Sequence, residues 1–342
     1  ADSILLFQII SVISVSGSLA VIATPILFKS LRKKLFMRII TFISVADFFG
    51  NIFYISPFRP RNGTWLCSIS GFCNLYFYPV SWLWSTILSY FLFNIALYGC
   101  LPLNEIIIHL ICWVIPLMLV LPILSFASYG RREDDDGSYL FEVCSAVDGG
   151  IIYNYYHAVS YYGLWILCII LMFIWYLRIK FSNLSERIGA EWKNTYFSAL
   201  NSLRWYPTAM FVFWLPHSLL TLMGEFGISP GVNQFAVGTA IKIFHGGFIA
   251  VIFFSKSREA RLNWWKLITS CFPFNKASRA RESIDVTQSD CVDPHEDDDF
   301  EDFSLEYENF AKGTPNESLI STPSSISNFE LPPRSSSVSY FT

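Results

Sequence analysis

Residues 67–98 read CSISGFCNLYFYPVSWLWSTILSYFLFNIALY. A cysteine stands near the start, aromatics run through the middle, and no Asp, Glu, Lys or Arg interrupts the run. About 20 mostly apolar residues suffice for a helix to cross a bilayer core. The stretch therefore reads as a membrane helix, the third and central one of a bundle.

The whole chain has the same character. Of its 342 residues, 53% are hydrophobic and 15% charged, whereas soluble domains carry about 25% charged residues. Seven apolar runs are long enough to span: 4–28, 37–57, 68–98, 107–128, 151–177, 205–224 and 233–254. Backbone polar groups in lipid must be satisfied internally, and runs of this length do so as helices. The expected fold is an all-α membrane protein, a seven-transmembrane-helix bundle over residues 1–254. The first run is long enough to span and reads as a helix, not as a cleavable leader.

Basic residues orient the bundle. Lys29, Arg32, Lys33, Lys34 and Arg38 follow the first span. Arg178, Lys180, Arg187, Lys193 and Arg204 follow the fifth, and Lys256, Arg258, Arg261 and Lys266 the seventh. The other side carries only Arg59, Arg61, Arg131 and Arg132. The expectation is a multi-pass plasma-membrane protein with an extracellular N-terminus and a cytoplasmic tail. No basic patch suggests nucleic acid.

On the outer side, Asn62-Gly63-Thr64 is a glycosylation acceptor. The loop 129–150 is acidic and contains Cys144, which with Cys67 is the cysteine best placed to face an oxidising compartment. A Cys67–Cys144 disulfide is preferred, because Cys67 lies at the helix mouth, where a loop can reach; Cys73 is the competing partner. On the inner side, residues 255–271 alternate Leu262, Trp264, Trp265, Leu267 and Ile268 with Lys and Arg. This is the pattern of an amphipathic helix lying on membrane lipids, and Cys271 at its end is a palmitoylation candidate. Residues 272–342 turn acidic and rich in Ser and Pro, the composition of a disordered tail. Ser321, Thr322, Ser324, Ser325, Ser335, Ser336 and Ser337 are phosphorylation candidates there.

Ionisable groups inside spans are costly and mark function. Asp47 lies near the middle of the second span, with Ser44 and Asn51 on its face. That stripe reads as a state-coupling site, with a fixed polar packing network as the plain alternative. Lys242 lies about 14 Å below the start of the seventh span at about 1.5 Å per residue. His245 and Gln234 lie near it in sequence. Its expected partner is an anionic ligand or a carboxylate, from Asp47, Glu225 or the acidic loop. His157, Tyr161 and Trp214 complete the candidate pocket, and Pro216 interrupts the backbone bonding of the sixth span. His109 and His217 read as packing residues. No nucleophile–base pair or metal-ligand spacing stands out, so neither an enzyme nor a cofactor is expected.

These residues resemble the G-protein-coupled receptors, and within them the slime-mould cyclic-AMP receptor-like group. The resemblance rests on Phe28-Lys29-Ser30-Leu31-Arg32, on Ser44-Val45-Ala46-Asp47, on Gly71-Phe72 and Trp82-Leu83-Trp84-Ser85-Thr86 after Cys67, and on Trp214-Leu215-Pro216. The third span ends without an acidic-Arg-Tyr motif, and the seventh lacks Asn-Pro-x-x-Tyr. The resemblance implies a receptor for an extracellular small molecule, a cyclic nucleotide or another anion among the candidates, acting on a heterotrimeric G protein. A receptor kinase and an arrestin-like protein would act at the tail. Two other readings exist. A retinal-binding photoreceptor or pump would use Lys242 as its Schiff base, and a small-molecule transporter would need a polar path through the bundle.

Overall fold

The computed structural model describes residues 2–55, 62–98, 104–123, 128–130, 144–147, 155–181, 204–225, 228 and 231–271. Its described part is helical apart from one small hairpin. In chain order the elements are α1 (Asp2–Leu27), the short α2 (Lys29–Arg32), α3 (Leu35–Asn51) running into a 3-10 turn (Ile52–Tyr54), α4 (Trp65–Tyr98) and α5 (Glu105–Val120). Strands β1 (Ser128–Gly130) and β2 (Ser145–Val147) follow. Then come a π-helical turn (His157–Tyr162) leading into α6 (Gly163–Phe181), α7 (Trp205–Glu225), α8 (Val232–Lys256) and α9 (Arg258–Cys271).

Local chemistry sets several of these ends. Asn104 caps α5 by accepting from the Ile106 N–H at 3.0 Å, and Glu105 in the first turn complements the helix dipole. The Thr64 hydroxyl accepts from the Cys67 N–H at 3.3 Å at the start of α4. The helix over the run expected at 107–128 is interrupted. α5 stops at Val120, a turn follows at Leu121 and Pro122, Ile123 is again helical, and Ser128 belongs to β1. Pro122 is the physical reason, since it has no N–H to donate to the Met118 carbonyl one turn back.

The long helices close on one another. α1 packs on α3 and α8, α3 on α4, and α7 on α8 and α4, while α4 also packs on α5 and α6. The centre is α4, whose Trp82, Trp84, Leu88 and Phe91 are buried. Phe42 stacks on Trp84 at 4.7 Å, and His109 sets its edge on Phe42 at 4.7 Å, so His109 packs as expected. Where α1 meets α8 the backbones nearly touch: a Cβ on Gly17 would lie 2.9 Å from Ala250 Cβ.

Leu5, Leu6, Ile9 and Ile13 on α1 are exposed, as are Ile166, Leu167, Ile170 and Phe173 on α6. Contiguous exposed apolar faces suit lipid, not water. Four segments among the described residues are long and apolar enough to cross a membrane: Leu5–Leu27, Leu35–Tyr54, His157–Phe181 and Gln234–Lys256. Glu105–Val120 is apolar but shorter.

The hairpin pairs antiparallel, Ser128 with Val147 and Gly130 with Ser145, and lies against α4. A Cys67–Cys144 disulfide ties it there, with Cα atoms 5.2 Å apart. Cys73, the competing partner, is a buried free thiol.

At the opposite end α9 docks on the chain between α1 and α3. Glu259 accepts from Ser30 Oγ at 2.7 Å and pairs with Lys34 Nζ at 2.9 Å. Trp264 donates its indole N–H to Thr24 Oγ1 at 2.9 Å and sets its ring against Phe28. Leu262, Trp265 and Ile268 remain exposed on another face. The tail 272–342, the residues 131–143 that carry the acidic cluster, and 182–203 lie outside the described residues.

Candidate functional site

Two polar layers lie inside the bundle, one above the other on α8. The first is built on Asp47. Its carboxylate is buried and accepts from Ser81 Oγ of α4 at 2.9 Å. The second oxygen lies 3.0 Å from His245 Nδ1, so the imidazole donates to it. Both side chains are 1% exposed. The pair joins α3 to α8 in a low-dielectric interior, where loss of one partner is far more costly than at a surface.

One turn along α3, Asn51 ties further helices together. Its amide donates to Ser14 Oγ and to the Ile243 carbonyl, both at 3.3 Å. Its backbone carbonyl accepts from Ser11 Oγ at 2.7 Å, and its side-chain carbonyl accepts from the Tyr78 hydroxyl at 2.9 Å. Ser44 shares the Asp47 face and is buried, but its hydroxyl has no hydrogen-bond partner among the described residues. Ser44 therefore does not join the network as the stripe suggested. Gly246 is where α8 comes closest: a Cβ there would lie 2.6 Å from Ser18 Oγ and 3.1 Å from Asp47 Cβ.

The second layer surrounds Lys242, one turn of α8 closer to the disulfide end. Lys242 is 5% exposed. Its ammonium lies over the rings of Tyr78 at 4.5 Å, Trp214 at 5.6 Å and Tyr54 at 5.8 Å. Such contacts stabilise a desolvated cation. Nζ also approaches His217 Nε2 at 3.4 Å and the Tyr54 hydroxyl oxygen at 3.5 Å, both at the long end of hydrogen-bond geometry. No carboxylate among the described residues lies within ion-pairing distance of Lys242. Asp47, one of its expected partners, is taken by His245.

From this cage an aromatic chain crosses the bundle. Tyr78 meets Trp214 edge-on at 4.6 Å, Trp214 meets Trp82 at 5.0 Å, and Trp82 meets Tyr161 at 4.8 Å. Tyr161 stacks on His157 at 5.0 Å. The last two lie in the π-helical turn, a distortion often found at functional sites. Trp214, three residues short of His217 on α7, sits just before Pro216, which lacks the N–H that would bond the Val212 carbonyl.

Of the residues singled out from sequence, Lys242, Trp214, Tyr161 and His157 thus lie in one aromatic layer. Asp47, Asn51 and His245 lie in the polar layer beneath it. Gln234 belongs to neither. It is exposed and accepts from the Gly231 N–H at 3.4 Å, closing the start of α8. His217, read as a packing residue, touches Lys242. Tyr54, Tyr78, Ser81 and Thr239 were not singled out. Tyr78 and Ser81 were visible as polar groups in an uncharged run, but nothing in the run marked which faced the lysine. Asn62 is exposed in the turn before α4, where Gly63 has φ of 75°. Cys271 is the last residue of α9.

Comparison with known proteins places this geometry. No family model matches the chain. Over 142 residues it is 32% identical to cyclic AMP receptor-like protein A of Dictyostelium discoideum, covering 41% of this chain and 36% of that protein. The match therefore spans about a third of the relative's length. In fold it is similar to squid rhodopsin, with a TM-score of 0.61 over 85% of this chain and 92% of that one, at 15% identity. The chain resembles the G-protein-coupled receptor superfamily, in sequence over those 142 residues and in fold through its likeness to squid rhodopsin.

Proposed function

We propose that the chain is a seven-helix receptor of the plasma membrane that senses an extracellular small molecule and activates a heterotrimeric G protein. Residues 1–254 form the bundle, 255–271 the interfacial helix and 272–342 a regulatory tail. In this reading α4 and α7 also span, although Trp, Tyr, Ser and Pro lower their mean hydropathy. The disulfide end faces outward, with Asn62 glycosylated, and α9 lies on the inner leaflet with Cys271 palmitoylated. A receptor kinase modifies the tail serines and Thr322, and an arrestin-like protein reads the phosphates.

The observation that carries the reading is the stacking of the two layers through Tyr78. Its ring lies under Lys242 and its hydroxyl bonds Asn51. A ligand held at Lys242 therefore has a direct physical route to the packing of α1, α3 and α8. A ligand that fits one arrangement of Tyr78 and Trp214 better than another shifts the population between them. The inner half of α7, freed by Pro216 from one backbone bond, is the element that moves. G-protein binding then falls to the loops at 29–36 and 178–204.

The test is recruitment of a panel of Gα fusions in cells, with a ligand library that includes cyclic nucleotides. Wild type is compared with Asp47→Asn and Lys242→Ala. Ligand-driven recruitment that Lys242→Ala shifts to higher ligand concentration supports the reading. Surface-expressed, folded protein that recruits no Gα under any condition overturns the coupling.

A further inference from the structure

Lys242 is a buried amine that no carboxylate among the described residues pairs with. It is 5% exposed, it has ring faces on three sides, and its two hydrogen-bonding contacts are long. The nearest acid in the sequence pattern, Asp47, is engaged by His245 and Ser81. An ammonium buried this far gains from an anion. With His217 Nε2 facing the ammonium, its Nδ1 carries the proton and donates to Thr239 Oγ1 at 3.3 Å. The Thr239 hydroxyl therefore keeps its own proton to give. Thr239 is 3% exposed and stands one turn before Lys242 on α8, on the same face and toward the disulfide end. Two donors thus stand one turn apart. Trp214 adds an indole N–H that is buried and has no acceptor among the described residues.

We propose that the Lys242 cage binds an aromatic monocarboxylate, whose carboxylate takes the Lys242 ammonium and the Thr239 hydroxyl while its ring packs among Tyr78, Trp214 and Tyr54. This deepens the receptor reading and rests on it for the route of entry. One cation matches one negative charge. Three aromatic side chains match a flat ring. The described polar groups around the cage are few: the Tyr54 hydroxyl is already given to Asn74 Oδ1 at 3.2 Å, which leaves little besides the Trp214 indole N–H to meet the several hydroxyls of a sugar. The chemistry of the cage therefore favours a small aromatic acid over a nucleotide.

The experiment uses the full chain in nanodiscs and reads its melting temperature against added benzoate, indole-3-acetate, the neutral indole-3-acetamide and cyclic AMP. At least one of the two carboxylates is expected to raise the melting temperature in a saturable way, and the amide and the nucleotide are not. Lys242→Met is expected to melt above wild type without ligand, since an apolar chain of similar length replaces a buried charge. It should raise the half-saturating carboxylate concentration more than about tenfold, the size of a lost hydrogen bond to a charged group. Thr239→Val, close in shape, should raise it by a smaller factor. Stabilisation by the amide equal to that by the acid overturns the proposal. So does stabilisation by cyclic AMP alone, a response unchanged in Lys242→Met, or no response to either carboxylate. Because stability alone is read, failed G-protein recruitment would remove the coupling and leave the carboxylate site standing.

Discussion

The Tyr78 hydroxyl lies 2.9 Å from Asn51 Oδ1 and 3.1 Å from the Gly50 carbonyl, and its ring face lies 4.5 Å from Lys242 Nζ. One side chain therefore touches both buried layers. A Cβ on Gly50 would come within 2.7 Å of that ring, so the α3 glycine is what lets the ring lie so close. Tyr78→Phe keeps the ring and removes the hydroxyl. The Asn51 carbonyl oxygen then loses its donor, and the expected destabilisation is about 1–3 kcal/mol, the cost of an unmet buried polar group. Thermal unfolding in nanodiscs measures it. In the recruitment assay the same variant should bind ligand but respond weakly.

The Asp47–His245 pair should behave as a unit. His245→Ala leaves a buried carboxylate with only Ser81, and the expected loss is about 3–5 kcal/mol. Adding Asp47→Asn to that variant should restore part of the loss, because no charge is then stranded. A double-mutant cycle on unfolding free energies reads the coupling. Simple additivity of the two losses would show that the pair does not act together.

Two glycines give opposite expectations. Gly246→Ala drives a methyl into Ser18, Ser14 and Asp47, all within 3.1 Å of the added Cβ. It should destabilise by about 1–3 kcal/mol through overpacking. Gly163→Ala meets nothing within 4 Å and should stabilise α6 by about 0.4–1 kcal/mol. Melting temperatures of the two variants, measured side by side, should move in opposite directions.

Docking of α9 should depend on pH. Partial burial pushes the Glu259 carboxyl up, but the Ser30 and Lys34 bonds outweigh this and hold it below its usual range. A depressed carboxyl contributes stability above its undocked value of about 4.3 and loses it as pH falls through the docked value. Protection of α9 amides, taken relative to the intrinsic exchange rate at each pH, should therefore be high at neutral pH and fall as pH drops below about 4. Glu259→Gln should remove that pH dependence while exchanging faster throughout.

Removal of the disulfide by Cys144→Ser should release the hairpin from α4. The bridge closes a loop with a sequence separation of 77, and loss of such a crosslink costs about 2–5 kcal/mol. Faster amide exchange confined to β1, β2 and the start of α4 is the expected signature.

Much of this architecture is legible in the sequence because lipid imposes simple rules. Helix lengths, the basic-residue asymmetry and the rank of Cys67 over Cys73 follow from hydropathy and reach. Asp47 stands out because a carboxylate in an apolar run is rare. Its partner does not, since His245 lies 198 positions away and helix periodicity says nothing about which helices meet. The Lys242 cage is hidden for a related reason. Tyrosines near span ends usually belong to an interfacial belt, so Tyr54 does not stand out, and His217 reads as one more packed ring. Gln234 lies near Lys242 in sequence but not in depth: it sits in the first turn of α8, where the Gly231 N–H engages it. The stop of α5 was written in Pro122, but the apolar run continues beyond it.

Asn51 ties three elements to α3: Ser11 and Ser14 of α1, Tyr78 of α4 and Ile243 of α8 all bond to this one residue. Such a junction constrains how the sequence can drift. A replacement at position 51 alone breaks bonds in every direction, whereas changes at 14, 51 and 78 arriving together can rebuild them. A library randomised at position 51 should return asparagine almost alone among folded clones, and one randomised at all three should return new combinations. Freedom to vary at this point belongs to the set of residues and to none of them singly.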